Sequence, residues 1–144
     1  MKILVSACLL GERCRYDGMS KPESDIIALE GRHELIHVCP EVLGGLQTPR
    51  APAEICGSRV INSEGKDVTA QYSLGAQKAL EIALENGCTL AILKEKSPSC
   101  GKGRIYDGSF SRALKVGDGI TATLLISNGI TVIGESEKDI ISSL

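Results

Sequence analysis

Sulfur carries most of the chemistry available to this chain. Its six cysteines, Cys8, Cys14, Cys39, Cys56, Cys88 and Cys100, are many for 144 residues. No two of them form a C-x-x-C pair, so the spacing suggests neither a zinc ribbon nor a dithiol redox pair. Three of them follow apolar runs. Cys8 follows residues 2–7, Cys39 follows residues 34–38, and Cys100 follows residues 88–93 after a short polar exit, Lys96-Ser97-Pro98-Ser99. Two hydroxyls, a thiol and Gly101 make poor core where a buried strand emerges, and good site. Thiolates are soft ligands that suit zinc or an iron–sulfur cluster. Three thiols with no evident fourth ligand leave two options, a zinc ion or a 4Fe–4S cluster with one iron open. An open metal position acts as a Lewis acid. Glu41 stands two residues past Cys39, in place for acid–base work, and Ser97 and Ser99 flank Pro98.

The remaining candidates are weaker. Free cysteine is a common core residue, so Cys56 and Cys88 read as structural thiols, while Cys14, close to the Cys8 site, reads as a further structural thiol or, alternatively, as a ligand or redox neighbour there. His33 and His37 lack metal spacing. Gly101-Lys102-Gly103-Arg104 does not follow the phosphate-loop pattern. Arg50, between Pro49 and Pro52, is either a salt-bridge residue or a clamp for a polar group.

The three thiols can meet only if the intervening elements bring them together. Strand patterns cover residues 2–7, 34–38, 88–93 and 130–134. Helix patterns cover 22–30, 68–86 and 118–128, with Gly87 and Gly129 as stops for the last two. On the long helix, Ala76, Ala79, Leu80, Ala83 and Leu84 fall on one stripe. Residues 52–57 are expected as a single helical turn, 59–69 as a small hairpin-like excursion, and 103–115 as a loop or weak hairpin over the site. Strands alternating with helices predict a single-domain, Rossmann-like α/β fold over residues 1–144. It has a parallel sheet of about four main strands, helices on both faces and an irregular insertion. In such a sheet all C-terminal strand ends share one edge, where ligands bind. Cys8, Cys39 and Cys100 converge there.

Composition agrees. The hydrophobic fraction is 42%, aromatics are only one Phe and three Tyr, and the core must come from Ile, Leu, Val and Ala. A net charge of −2 gives no strong nucleic-acid footprint. No long apolar run predicts a membrane span, and the first residues lack a signal-peptide pattern, so the expected location is the cytoplasm. A reducing compartment disfavours a disulfide framework.

Several motifs together make the sequence resemble the thiouracil desulfidase family. They are Ser6-Ala7-Cys8-Leu9-Leu10-Gly11, Arg15-Tyr16-Asp17-Gly18, Cys39-Pro40-Glu41-Val42-Leu43-Gly44-Gly45-Leu46 with Pro49-Arg50, and Ser97-Pro98-Ser99-Cys100-Gly101. The resemblance implies a 4Fe–4S cluster on Cys8, Cys39 and Cys100, with one open iron for the sulfur of a small thiolated nucleobase such as 2-thiouracil. It implies non-redox release of hydrogen sulfide, with Glu41 as catalytic acid–base and Ser97 as the active-site serine. Arg15, Tyr16, Asp17 and Ser99 are implied as substrate contacts, although Arg15, Tyr16 and Asp17 also read as a turn with a solvated face. Two alternatives stand beside this expectation: the same chemistry on 4-thiouridine in tRNA, and a non-catalytic zinc module.

Overall fold

The computed structural model describes residues 1–144. Its centre is a parallel sheet of four strands: β1 (Lys2–Ser6), β2 (Glu34–Val38), β5 (Leu90–Leu93) and β8 (Thr131–Gly134), in the order β2-β1-β5-β8. Ile3 pairs with Leu35 on one side and Leu90 on the other, and Ile92 with Ile133. β1 and β5 are buried through almost every residue, as strands covered on both faces must be.

Two apolar layers cover the sheet. One joins Leu4, Ala91, Leu93 and Val132 to Leu80 and Ala83 of α3 (Thr69–Glu85) and to Ala122 and Leu125 of α4 (Ile120–Ser127). The other joins Ile3, Val5, Ile92 and Ile133 to Ile26 of α1 (Ser24–Ile27), to Leu29 and to Ile141 of α5 (Lys138–Ser142). Each fully buried aliphatic side chain stabilises the fold by about 1.5–3 kcal/mol relative to exposure. The aliphatic composition therefore forms a three-layer core, with helices on both faces as expected. No helix is long and apolar enough to cross a membrane.

Several boundaries differ from the sequence expectation. Residues 22–30 are not one helix: α1 stops at Ile27 and a 3-10 turn runs Ala28–Gly31, leaving Ile27 exposed. Leu84 leaves the buried stripe of α3 and is 57% exposed, while Tyr72 and Gly75 join that stripe at the other end. β5 starts two residues later than expected, because the Cys88 N–H is taken by the Ala83 carbonyl as the chain leaves α3 through Gly87, whose φ is +67°.

The largest correction concerns residues 52–57. They form no helical turn. β3 (Ala53–Cys56) pairs antiparallel with β4 (Arg59–Asn62) across the two-residue loop Gly57-Ser58, a hairpin signal that the neighbouring prolines obscured. The excursion to residue 69 adds one more pass, with Ile61 bridging to Asp67. Residues 103–115 do form a small hairpin, β6 (Arg104–Tyr106) with β7 (Leu114–Val116). Its tip packs on β3 rather than standing free. Glu54 of β3, only 8% exposed, accepts the N–H groups of Gly108 and Phe110 at 3.0 and 3.1 Å through one carboxylate oxygen.

Candidate active site

The parallel sheet delivers its chemistry to the C-terminal edge of β2, β1 and β5. The strand order reverses between β1 and β5, so the crevice opens there. Ser6, the last residue of β1, accepts the Lys94 N–H at 2.9 Å through its hydroxyl and ties the two strand ends together. Cys8 follows in a 3-10 turn, Ala7–Leu10, and is 7% exposed. Cys39 follows β2 and leads into α2 (Pro40–Leu43), with Pro40 in the first turn where its missing N–H costs nothing. Cys100 lies beyond β5, 5% exposed.

Two close approaches fix these segments. α2 sits directly on α3 at Gly44 and Gly75. A Cβ on Gly44 would stand 1.9 Å from the Gln71 carbonyl oxygen, and one on Gly75 would stand 1.8 Å from that of Pro40. Only glycine allows this approach, and it sets where Cys39 and Glu41 stand. The loop before Cys100 is held from α4, whose first amides at Ile120 and Thr121 donate to the carbonyls of Pro98 and Ser99 at 2.9 and 2.8 Å.

These pieces enclose a cavity of about 530 Å³ lined by Cys8, Cys14, Cys39 and Cys100, with Glu41 on its wall. Ser97, Ser99, Arg15 and Tyr16 also line it, and Asp17 does not. The Asp17 carboxylate instead accepts the Met19 N–H at 3.0 Å and closes a turn. Within the serine pair, Ser97 accepts the N–H groups of Ser99 and Cys100 at 3.1 and 3.2 Å through its hydroxyl oxygen, which shapes the loop around Pro98. Ser99 donates to Glu41 Oε2 at 3.0 Å, with Cys100 Sγ 3.5 Å from the same hydroxyl and Ser97 Oγ at 2.9 Å. The serine in contact with the carboxylate is therefore Ser99.

Arg50 proves to be a buried clamp. Its Nε donates to Glu41 Oε1 at 3.0 Å, Nη2 to the Cys14 carbonyl at 2.8 Å, and Nη1 to Gln47 O and Thr48 Oγ1 at 3.1 and 2.9 Å. Both side chains of the ion pair are largely buried, 8% exposed for Arg50 and 14% for Glu41. The Tyr72 phenol, buried on α3, faces Glu41 from a third side. Burial, then the Glu41 charge, pushes its pKa far up, so it stays a hydroxyl. Sequence reasoning left Arg50 open and missed Tyr72 and Glu54. The Pro-Arg motif was the signal for Arg50; Tyr72 looked like an ordinary helix residue.

Three of the cavity thiols, Cys14, Cys39 and Cys100, are held protonated in the metal-free protein. Burial pushes Cys100 up to about 12. For Cys39 the hydrogen bond with Cys14, then burial, pushes the pKa far up. For Cys14 the contact with Cys39 lowers the pKa, but the contact with Cys8, burial and nearby charge outweigh it, leaving it raised to about 11. Ligation must therefore displace protons. No three His, Cys, Asp or Glu side chains gather around one ion-sized point. Four thiols spread around one cavity suit a body of several metal atoms better than a single zinc ion, and the soft donor set suits iron and sulfide.

A family model described as 2-thiouracil desulfurase matches residues 3–137. The chain belongs to that family. It is 44% identical over 145 residues to the uncharacterized protein YbbK of Bacillus subtilis (strain 168), covering 94% of this chain and 96% of that one. Its fold matches a solved structure of a [4Fe-4S]-dependent thiouracil desulfidase, TudS, with TM-score 0.90 and 47% identity, over 99% of this chain and 95% of the other. The family resemblance read from the motifs holds, and the four-strand parallel fold is that of the TudS structure.

Proposed function

We propose that this protein is a desulfidase that converts a thiolated pyrimidine such as 2-thiouracil to uracil and hydrogen sulfide, using a 4Fe–4S cluster held by Cys8, Cys39 and Cys100. The observation that carries this reading is the convergence of three strand-edge thiols on one cavity whose wall is a clamped carboxylate. When bound, the cluster supplies a thiophilic iron without a protein ligand, a Lewis acid for the thiocarbonyl sulfur.

The chain's own residues do the rest. Arg50 holds Glu41 Oε1 and Ser99 holds Oε2, so the carboxylate is oriented before substrate arrives. Glu41 takes a proton from water as that water adds to the thiocarbonyl carbon. It then returns the proton to the sulfur as the carbon–sulfur bond breaks, the added hydroxyl gives its own proton to solvent as the carbonyl forms, and sulfur leaves as hydrosulfide. Proton transfer of this kind contributes about 10²–10⁴-fold. Ser99 stands between Glu41 and Cys100 and can pass that proton toward the departing sulfur. The base itself has a fitting surface. The chain's only aromatic residues, Tyr16, Tyr72, Tyr106 and Phe110, all line this cavity, although its core has almost none. Flat rings next to a planar base give stacking area and orientation.

One observation favours a substrate larger than a free base. Arg15, Lys21, Lys96 and Arg112 line the cavity, and none of them is in a salt bridge. Four unpaired cations in a chain of net charge −2 suit a phosphate carried with the thiolated base, as in a nucleotide or the 4-thiouridine of tRNA.

The test is anaerobic turnover. Protein reconstituted with iron and sulfide is expected to release uracil and sulfide in equal amounts from 2-thiouracil, and zinc-loaded protein to release neither. Activity of the zinc form would remove the cluster from the account. Comparing kcat/KM for free base, nucleoside and nucleotide then decides what the cations serve.

A further inference from the structure

Four thiols line the cavity, and the proposed ligand set uses three of them. The fourth, Cys14, differs from the two cysteines outside the site. Cys88 is packed into the core layer beneath α3 and α4. Cys56 points its thiol at the carbonyls of Glu54 and Gly108. Cys14 is half-buried on the loop after the first 3-10 turn, and its thiol faces those of Cys39 and Cys8.

Its backbone is held by partners of its own. The Cys14 N–H donates to the Glu12 carbonyl at 3.0 Å, and its own carbonyl accepts from Arg50 Nη2 at 2.8 Å and from Cys39 Sγ at 3.6 Å. A thiol on a fixed backbone reaches new positions by stepping between staggered rotamers, without moving the chain. Cys8 and Cys100 have less room, at 7% and 5% exposure. The cavity therefore holds two enclosed thiols, one at the start of a helix, and one half-buried on a loop.

We propose that Cys14 is an exchangeable fourth ligand of the cluster: without substrate its thiolate occupies the iron that lacks another protein ligand, and it yields that position to the substrate's sulfur. This rests on the cluster reading above. On engagement, an iron–sulfur bond to Cys14 forms and the thiol proton goes to solvent. On substrate entry that bond breaks, Cys14 takes a proton back, and iron bonds the thiocarbonyl sulfur. No electron is gained or lost in either direction. The exchange would protect the corner of the cluster most exposed to oxidants while leaving it open to a soft competing ligand.

Two measurements test it. Anaerobically loaded wild type and Cys14→Ala are exposed to the same mild ferricyanide treatment and followed by electron paramagnetic resonance. Wild type is expected to keep its fourth iron, and Cys14→Ala to lose it and show the signal of a three-iron cluster; equal loss in both overturns the proposal. The second measurement needs no variant. Loaded wild type is pulsed with iodoacetamide, with and without 2-thiouracil, and labelling is read by mass spectrometry. Cys14 is expected to be protected at rest and modified once 2-thiouracil is present, while Cys8, Cys39 and Cys100 stay protected throughout. Equal labelling of Cys14 in the two states contradicts exchange. Wild type that takes up no four-iron cluster shows this in its iron and sulfide content beforehand, and overturns the cluster reading together with this one.

Discussion

The two halves of the cavity are built by different means. The thiol half hangs from the ends of parallel strands, whose backbone is paired on both sides at β1 and β5. The opposite half is made of two short hairpins and a proline-flanked loop, joined by side chains reaching backbone groups. Glu54 holds the tip of the β6–β7 hairpin, and Arg50 holds the Cys14 and Gln47–Thr48 segments. The difference teaches where each task sits. Ligands for a multi-iron body need fixed mutual positions, and the sheet supplies them. The substrate wall needs shape, and short loops pinned by single buried charges supply it. Glu41 belongs to both halves: it stands on α2 next to a sheet-borne thiol, yet it is oriented by Arg50 from the loop half.

Breaking either half should fail differently. The largest effect is expected from Cys8→Ala, Cys39→Ala or Cys100→Ala, each losing the bound iron and all turnover, read as iron and acid-labile sulfide per chain. Retention of a full cluster in any one of them would remove that residue from the ligand set. Next, Glu41→Gln is expected to keep full iron content while kcat falls by about 10²–10⁴-fold. Undiminished kcat would move the proton transfer to another group.

Gly75→Ala probes the seam between the halves. The added methyl must push α2 off α3, costing about 1–3 kcal/mol of stability as overpacking does. Cys39 and Glu41 shift with it, so both iron retention and kcat should drop; a variant with unchanged melting temperature and activity would show that the seam is soft. Glu54→Ala acts on the loop half alone. Leaving two amides without their carboxylate costs about 1–3 kcal/mol. KM is expected to rise with iron content unchanged, and amide exchange at Gly108 and Phe110 to quicken.

The smallest effect is a pH dependence of the metal-free protein. Cys100 and Cys14 have folded pKa values raised from 9.0 to about 12 and about 11. Groups with raised pKa bind protons more tightly when folded, so their contribution is fully present below pH 9.0 and is lost as pH climbs toward those folded values. The melting temperature of metal-free protein should fall over that window, and the cluster-loaded protein, whose thiols are already deprotonated, should show less of the fall.

The sequence made the thiol half legible and the loop half largely opaque, for physical reasons. β1, β2, β5 and β8 are apolar runs whose ends are marked by a cysteine, a glycine or, after β5, a run of charged residues, so both the strands and the common edge could be read from pattern alone. The pattern over 52–57, which holds β3, suggests a helical turn because Pro49 and Pro52 mask the two-residue turn at Gly57-Ser58, while the hairpin-like reading of 59–69 does contain β4. Long-range partners stayed invisible for another reason. Nothing in the local pattern tells Arg50 to reach the Cys14 carbonyl, Tyr72 to face Glu41, or Glu54 to accept amides more than fifty residues away. Those contacts exist only after the chain has folded. The serine pair shows the same limit, since its sequence is symmetric about Pro98 and only the loop's shape turns Ser99 rather than Ser97 toward the carboxylate.

The central claim is that three sheet-edge thiols hold a cluster whose remaining iron meets the substrate's sulfur. Mössbauer spectroscopy of protein loaded anaerobically with iron-57 tests it most directly. On adding 2-thiouracil under conditions that stall turnover, as in Glu41→Gln, the account predicts that one iron site in four changes its isomer shift and quadrupole splitting while three stay as they were. A spectrum in which all four sites are unchanged by substrate, or in which no four-iron cluster is present, would contradict it.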